Sequence, residues 1–130
     1  MLLEHQYYEV VGSEQESSLS AAYTIRLLPD CPVYAGHFPG NPVCPGVCNI
    51  ETIRECAMKL TGQQLRFTDI KLCRLKAIAT PTASPILTVR LNATPIEGGF
   101  TIEACIDDPV QIYMQLKGTL MADSTKLQNL

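Results

Sequence analysis

Apolar and polar residues alternate with a period of two through most of the second half of the chain. Leu87, Val89 and Leu91 alternate with Thr88, Arg90 and Asn92. Phe100, Ile102, Ala104 and Ile106 alternate with Thr101, Glu103 and Cys105, and Val110, Ile112, Met114 and Leu116 with Gln111, Tyr113, Gln115 and Lys117. This period places successive side chains on opposite faces of a sheet, so each stretch predicts a half-buried strand. Glu97-Gly98-Gly99 and Asp107-Asp108-Pro109 supply the turns between them. Ile70 and Leu72, alternating with Lys71 and Cys73, predict a further strand upstream. Near the N-terminus, Ala21, Tyr23, Ile25 and Leu27 show the same period, which Pro29-Asp30 ends. Tyr7 to Val11 predicts a first short strand, and the polar stretch Gly12 to Ser18 a connecting loop.

The period changes once. Val47, Ile50, Ile53, Ala57 and Leu60 recur at helical spacing and predict a helix over Gly46 to Thr61, buried on that face. Gly62 follows where a C-terminal glycine cap belongs. Ahead of the helix, Cys31 to Pro45 contains four prolines and two glycines, which predicts a long irregular loop. Long ordered loops in compact domains are usually functional. One long helix followed by four antiparallel strands implies an α+β fold, a bent antiparallel sheet wrapped around one central helix, as a single domain over residues 1–130.

Composition narrows the function. Apolar residues make up 46% and charged residues 18% of the chain, the balance of a globular protein. A net charge of −3 gives no electrostatic support for nucleic-acid binding. No apolar run approaches a membrane span, and Met1 to Glu4 lacks the features of a signal peptide, so a cytoplasmic location is expected. The six cysteines contain no Cys-x-x-Cys pair, and His5 and His37 lie far from any tight cluster. No metal site is therefore expected, and the thiols read as small buried hydrophobes in a reducing compartment.

The candidate chemistry lies in His37-Phe38-Pro39-Gly40, then Asn41-Pro42-Val43-Cys44-Pro45-Gly46, then Glu51. A histidine and a carboxyl group fourteen residues apart, joined through three prolines and two glycines, form a minimal pair for moving protons near neutral pH. This segment resembles the signature of the β-hydroxyacyl-[acyl-carrier-protein] dehydratases, the hot-dog enzymes of fatty-acid and related synthesis. His37, Phe38, Pro39, Gly40, Pro42, Val43, Pro45, Gly46, Val47 and Glu51 fall in register, with a looser echo at Arg74, Lys76 and Pro81.

The resemblance implies dehydration of a (3R)-3-hydroxyacyl thioester to the trans-2-enoyl product. His37 would be the base that removes the proton beside the thioester carbonyl. Glu51 would be the acid that protonates the departing hydroxyl; at the rim of an apolar helix face a carboxyl group is partly desolvated, which favours its neutral form. Glu55, one turn further on, would add a second negative charge in the same sense. Gly46 and Val47, at the open N-terminal end of the helix, would offer N–H groups to the carbonyl oxygen. Phe38, Pro39, Gly40 and Pro45 would shape the loop and tunnel.

The substrate would arrive on the phosphopantetheine arm of acyl carrier protein, with no other cofactor. The carrier is acidic, and residues 54 to 76 hold six cationic side chains (Arg54, Lys59, Arg66, Lys71, Arg74 and Lys76) against Glu55 and Asp69. Arg74 and Lys76 are the expected docking contacts. In the family the histidine and the acid come from different subunits, which implies a homodimer with sites at its interface and allows a trimer of dimers.

Glu55 stands where the common dehydratases carry glutamine, Asn49 where they are apolar, and Cys44 and Cys48 where they carry larger hydrophobes. These departures bear on tunnel shape and pathway, with a polyene or other secondary pathway as one setting. Two alternatives remain open: a hot-dog thioesterase that activates water with a carboxylate, and a non-catalytic subunit that binds a carrier protein.

Overall fold

The computed structural model describes residues 2–36 and 42–123. Eight elements follow in order: β1 (Tyr8–Ser17), β2 (Ser20–Leu27), α1 (Val33–Gly36), α2 (Gly46–Thr61), β3 (Leu65–Leu75), β4 (Ile86–Ile96), β5 (Gly99–Asp107) and β6 (Ile112–Ala122). The strands form one sheet in the order β1-β2-β4-β5-β6-β3, every pair antiparallel.

The register explains why the alternating pattern was legible. Ala21, Leu91, Ala104 and Leu116 lie side by side across β2, β4, β5 and β6, and Tyr23, Val89, Ile106 and Met114 form the next inward row. All eight are buried. The row on the other side of Ala21, formed by Ser20, Asn92, Glu103 and Lys117, faces outward, with Ser20 donating to Asn92 and Lys117 paired to Glu103. Helix α2 lies against β2, β3 and β4 and closes the inward side. Gly62 caps it in the left-handed conformation (φ 71°), its N–H donating to the Met58 carbonyl at 2.8 Å.

Three expectations need correction. Gly12 to Ser17 is not a loop but the second half of β1, paired to β2 through Ser17↔Ser20. Beyond Val10 this strand is exposed on both faces at the edge of the sheet, so backbone pairing holds it without a hydrophobic period. Within the loop expected over Cys31 to Pro45, Val33–Gly36 forms one helical turn, which lets Tyr34 bury its ring beside Tyr7 with centroids 6.1 Å apart. The buried face of α2 is also rotated from the expected one. Val47 is 72% exposed, and Ile50 and Leu60 are only partly buried, whereas Cys48, Asn49, Thr52, Ile53, Glu55, Cys56 and Ala57 are buried.

Candidate active site

The helix that carries the site begins without a side-chain cap. Pro45, buried and extended (φ −66°, ψ 139°), takes the N-cap position, and its carbonyl accepts the Cys48 and Asn49 N–H groups at 3.1 and 3.2 Å. Gly46 and Val47 precede those donors, so the helix has no carbonyl of its own to offer their N–H groups. A Cβ placed on Gly46 would meet nothing within 4 Å among the described residues. No described residue covers the end of α2, which is the positive pole of the helix dipole.

Glu51 stands one turn beyond Val47 on the same side of the helix. Its side chain is 29% exposed and is gripped by Arg54, whose Nε and Nη2 donate to the two carboxylate oxygens at 2.7 and 2.5 Å. The third guanidinium nitrogen, Nη1, donates to the Leu65 carbonyl at 2.7 Å, the first residue of β3. The hydrogen bonds to Glu51 push the Arg54 guanidinium further above its already high ordinary range. Arg54 is therefore not an open surface cation of a docking patch, as the sequence suggested; its donors are committed to Glu51 and to the backbone.

Glu55 does not act beside Glu51 either. It is 5% exposed, and its carboxylate accepts the backbone N–H groups of Leu3 at 2.7 Å and Glu4 at 3.0 Å, and the Tyr8 hydroxyl at 3.0 Å. Asn49, 3% exposed, accepts the Tyr7 hydroxyl at 2.9 Å. Glu4 adds an ion pair to Lys59 at 3.3 Å. The two polar departures on α2 thus fasten the N-terminal segment to the buried side of the helix. Burial, reinforced by neighbouring thiols and Glu55, holds the Tyr7 and Tyr8 phenols well above their usual range, so both stay neutral donors.

His37, Phe38, Pro39 and Gly40 lie outside the described residues. Their flanks are well anchored. Tyr34 and Cys44 bracket them, with the Tyr34 hydroxyl 3.5 Å from the Cys44 sulfur, and the Cys44 N–H donates to Ala79 at 2.9 Å.

Arg74 and Lys76 are exposed at and just past the end of β3. Arg74 pairs with Gln115, between Met114 and Leu116 that are buried on the inward face, so it stands on the outer face of the sheet. There it shares a shallow groove with Arg90, Asn92, Glu103 and Lys117, on the side of the sheet away from Glu51. Among the described residues no group of His, Cys, Asp and Glu side chains is arranged to hold a metal ion. All six cysteines are free thiols: Cys44, Cys48 and Cys56 are buried, Cys31 and Cys105 partly so, and Cys73 is exposed. No described helix is long and apolar enough to cross a membrane.

The model of the ApeI-like family, described as ApeI dehydratase, matches residues 13–113, well over half of the chain. The chain belongs to this dehydratase family. It is similar to the 3-hydroxyacyl-[acyl-carrier-protein] dehydratase FabZ of Ralstonia nicotianae, 30% identical over 108 residues that cover 73% of this chain and 65% of that protein. FabZ of a Thermoanaerobacter species is 32% identical over 69 residues, 48% of this chain and 49% of that one. The chain thus matches about half to two thirds of the length of these curated relatives. Among solved structures, a chain of the dehydratase heterocomplex ApeI:P from Xenorhabdus doucetiae superposes with a TM-score of 0.70 at 24% identity, covering 86% of this chain and 96% of that one. A protein from Erwinia carotovora subsp. atroseptica gives a TM-score of 0.60 at 18% identity over 88% and 94%. These likenesses establish the hot-dog fold; the roles of individual residues rest on the site itself.

The sequence reading missed Arg54 as the partner of Glu51 and missed the hold of α2 on the N-terminal segment. A signal for the second was present: two polar residues, Asn49 and Glu55, on the helix, and two adjacent tyrosines, Tyr7 and Tyr8, near the N-terminus.

Proposed function

We propose that the chain dehydrates (3R)-3-hydroxyacyl thioesters carried on acyl carrier protein, giving the trans-2-enoyl product in fatty-acid or related polyene or secondary synthesis. His37 removes the proton next to the carbonyl. The bond to the hydroxyl breaks as Glu51 protonates it, and water leaves. The N–H groups of Gly46 and Val47 receive the carbonyl oxygen as negative charge develops on it. The observation that carries this reading is the placement of Glu51 one helical turn from the Gly46–Val47 end of α2, fourteen residues after His37 in the sequence. The reaction needs no resident cofactor; the phosphopantetheine belongs to the carrier.

The active form is proposed to be a homodimer with the site at its interface, in the cytoplasm, and a trimer of dimers would extend it. The 72% exposure of Val47 beside Glu51 supports a site covered by another subunit. Arg74 and Lys76 remain the proposed contacts for the acidic carrier.

A second reading is a thioesterase. The ion-paired Glu51 favours it, since a carboxylate could activate water. The two are separated by mass spectrometry on a 3-hydroxyacyl carrier-protein substrate, with His37→Ala and Glu51→Gln beside the wild type. Loss of one water in the wild type and near-silence in both variants is the expected result. Release of free acid moves the assignment to thioesterase. No change in substrates of any chain length, by a folded dimer, sinks both and leaves a carrier-binding subunit.

A further inference from the structure

The Arg54–Glu51 contact is more than an ordinary helix ion pair. Exposed pairs at three- or four-residue spacing contribute a few tenths of a kcal/mol and are easily released. Here the two side chains are only 20% and 29% exposed, and the guanidinium meets both carboxylate oxygens. Its remaining nitrogen is tied to the Leu65 carbonyl, and the same nitrogen lies 3.4 Å from the Met58 sulfur. Leu65 is fully buried and paired with Ala122, so this anchor is rigid. Two other carboxylates, Glu55 and Asp123, act on Arg54 electrostatically. Glu55 is committed to Leu3, Glu4 and Tyr8. Arg54 thus gives its planar fork to Glu51 and its third arm to the sheet.

We propose that Arg54 is the positioning residue for Glu51. It fixes the plane of the carboxyl group against the start of β3, so that the carboxyl proton is presented to the substrate hydroxyl. The proposal rests on the dehydratase reading of Glu51. A guanidinium fork fits the geometry of a carboxylate and fixes its plane, which a point charge does not. As the reaction proceeds, the proton on the α-carbon passes to His37 and its electron pair becomes the new C=C bond. The C–O pair leaves with the oxygen, which takes the proton of Glu51. Negative charge then appears on the Glu51 carboxylate, where charge-assisted hydrogen bonds from Arg54 are strongest. Solvent exchange returns the proton from His37 and restores the one on Glu51.

The test compares wild type, Arg54→Met and Arg54→Lys on a 3-hydroxyacyl carrier-protein thioester. Because small errors in placing a reacting group cost about 100-fold, kcat of Arg54→Met is expected to fall about that far, with KM nearly unchanged. Arg54→Lys keeps the charge but not the fork and is expected to recover little; free guanidinium is expected to restore part of the Arg54→Met rate. Melting temperatures of Arg54→Met, Glu51→Gln and the double variant provide a readout independent of turnover, and their shifts are expected to be non-additive. An active wild type with unchanged kcat in Arg54→Met overturns the proposal alone. So do strictly additive melting shifts. A wild type that releases no water overturns the dehydratase reading, and the positioning role with it.

Discussion

The Tyr8 hydroxyl donates to the Glu55 carboxylate at 3.0 Å, joining the start of β1 to the middle of α2 across 47 positions of sequence. The same carboxylate accepts the N–H groups of Leu3 and Glu4. A buried anion with three donors is well satisfied, and those donors have no other partner of comparable strength once it is removed. Glu55→Ala is expected to lower the unfolding free energy by about 3 kcal/mol, because hydrogen bonds to charged groups contribute more than neutral ones. Glu55→Gln keeps the shape but turns one acceptor into a donor facing donors, and should lose about half as much. Guanidinium denaturation of both variants is the check; losses within about 0.5 kcal/mol of zero, the range of ordinary surface changes, would remove the fastening role.

Asn49 makes the parallel case with a neutral partner. Its side-chain oxygen accepts the hydroxyl of Tyr7, a residue with no exposed surface. Asn49→Leu, the apolar residue type of the common dehydratases, leaves that hydroxyl with the Cys44 thiol, a weak acceptor, and the neighbouring Tyr34 hydroxyl. The expected loss is about 1 kcal/mol, the net worth of one hydrogen bond. Adding Tyr7→Phe removes the hydroxyl as well, and the double variant should regain most of the loss. A double variant no better than Asn49→Leu alone would show that the cost lies in packing.

These two residues also show where sequence patterning stops. Strands β4, β5 and β6 were legible because one face of each is buried and the other exposed, which enforces alternation. The helix itself was legible, but its buried face was not. Asn49, Thr52 and Glu55 are buried because tyrosine hydroxyls, the Cys48 carbonyl and backbone N–H groups satisfy them. Hydropathy reads such residues as exposed, and so Val47 was placed inside. The second half of β1 was hidden for a related reason: an edge strand solvated on both faces has no period to read. Within the site, Glu51 was found from its motif. Arg54 was read as one cation among six, since its decisive contact is to the Leu65 carbonyl, eleven positions away in sequence and visible only in the fold.

The thiols predict a response to alkali. Burial pushes the Cys56 thiol from 9.0 to about 12, and the Tyr7 and Tyr8 phenols are raised too, first by burial. A group whose folded pKa lies above its unfolded value stabilises fully below the unfolded value, and this contribution is lost as pH rises through the folded one. Stability should therefore be steady up to about pH 9 and fall steadily toward pH 12. The denaturation midpoint of Cys56→Ala should decline less steeply over that window, even from a lower start. At pH 8, a thiol reagent should label exposed Cys73 first and Cys56 only on unfolding. Equal slopes with and without Cys56 would assign the alkaline loss to the tyrosines alone.

Gly46 separates folding from chemistry most cleanly. Its backbone does not require positive φ, and an added Cβ would meet nothing within 4 Å among the described residues. Alanine is also the better helix former. Gly46→Ala should therefore fold with an unchanged or slightly higher melting temperature. The space that the Cβ would enter is the space a thioester carbonyl must cross to reach the N–H groups at the end of α2. If the carbonyl docks there, kcat/KM should fall by about 100-fold, the scale of losing one oxyanion donor. Val47, whose side chain already points into solvent, should tolerate alanine with less effect on the rate. A Gly46→Ala enzyme with full activity would place the carbonyl elsewhere and leave Glu51 and His37 without the electrostatic partner assigned to them. A variant that folds but turns over slowly, with the hydroxyl still required, would fix the carbonyl at the end of the helix, because no described residue objects to a methyl group there.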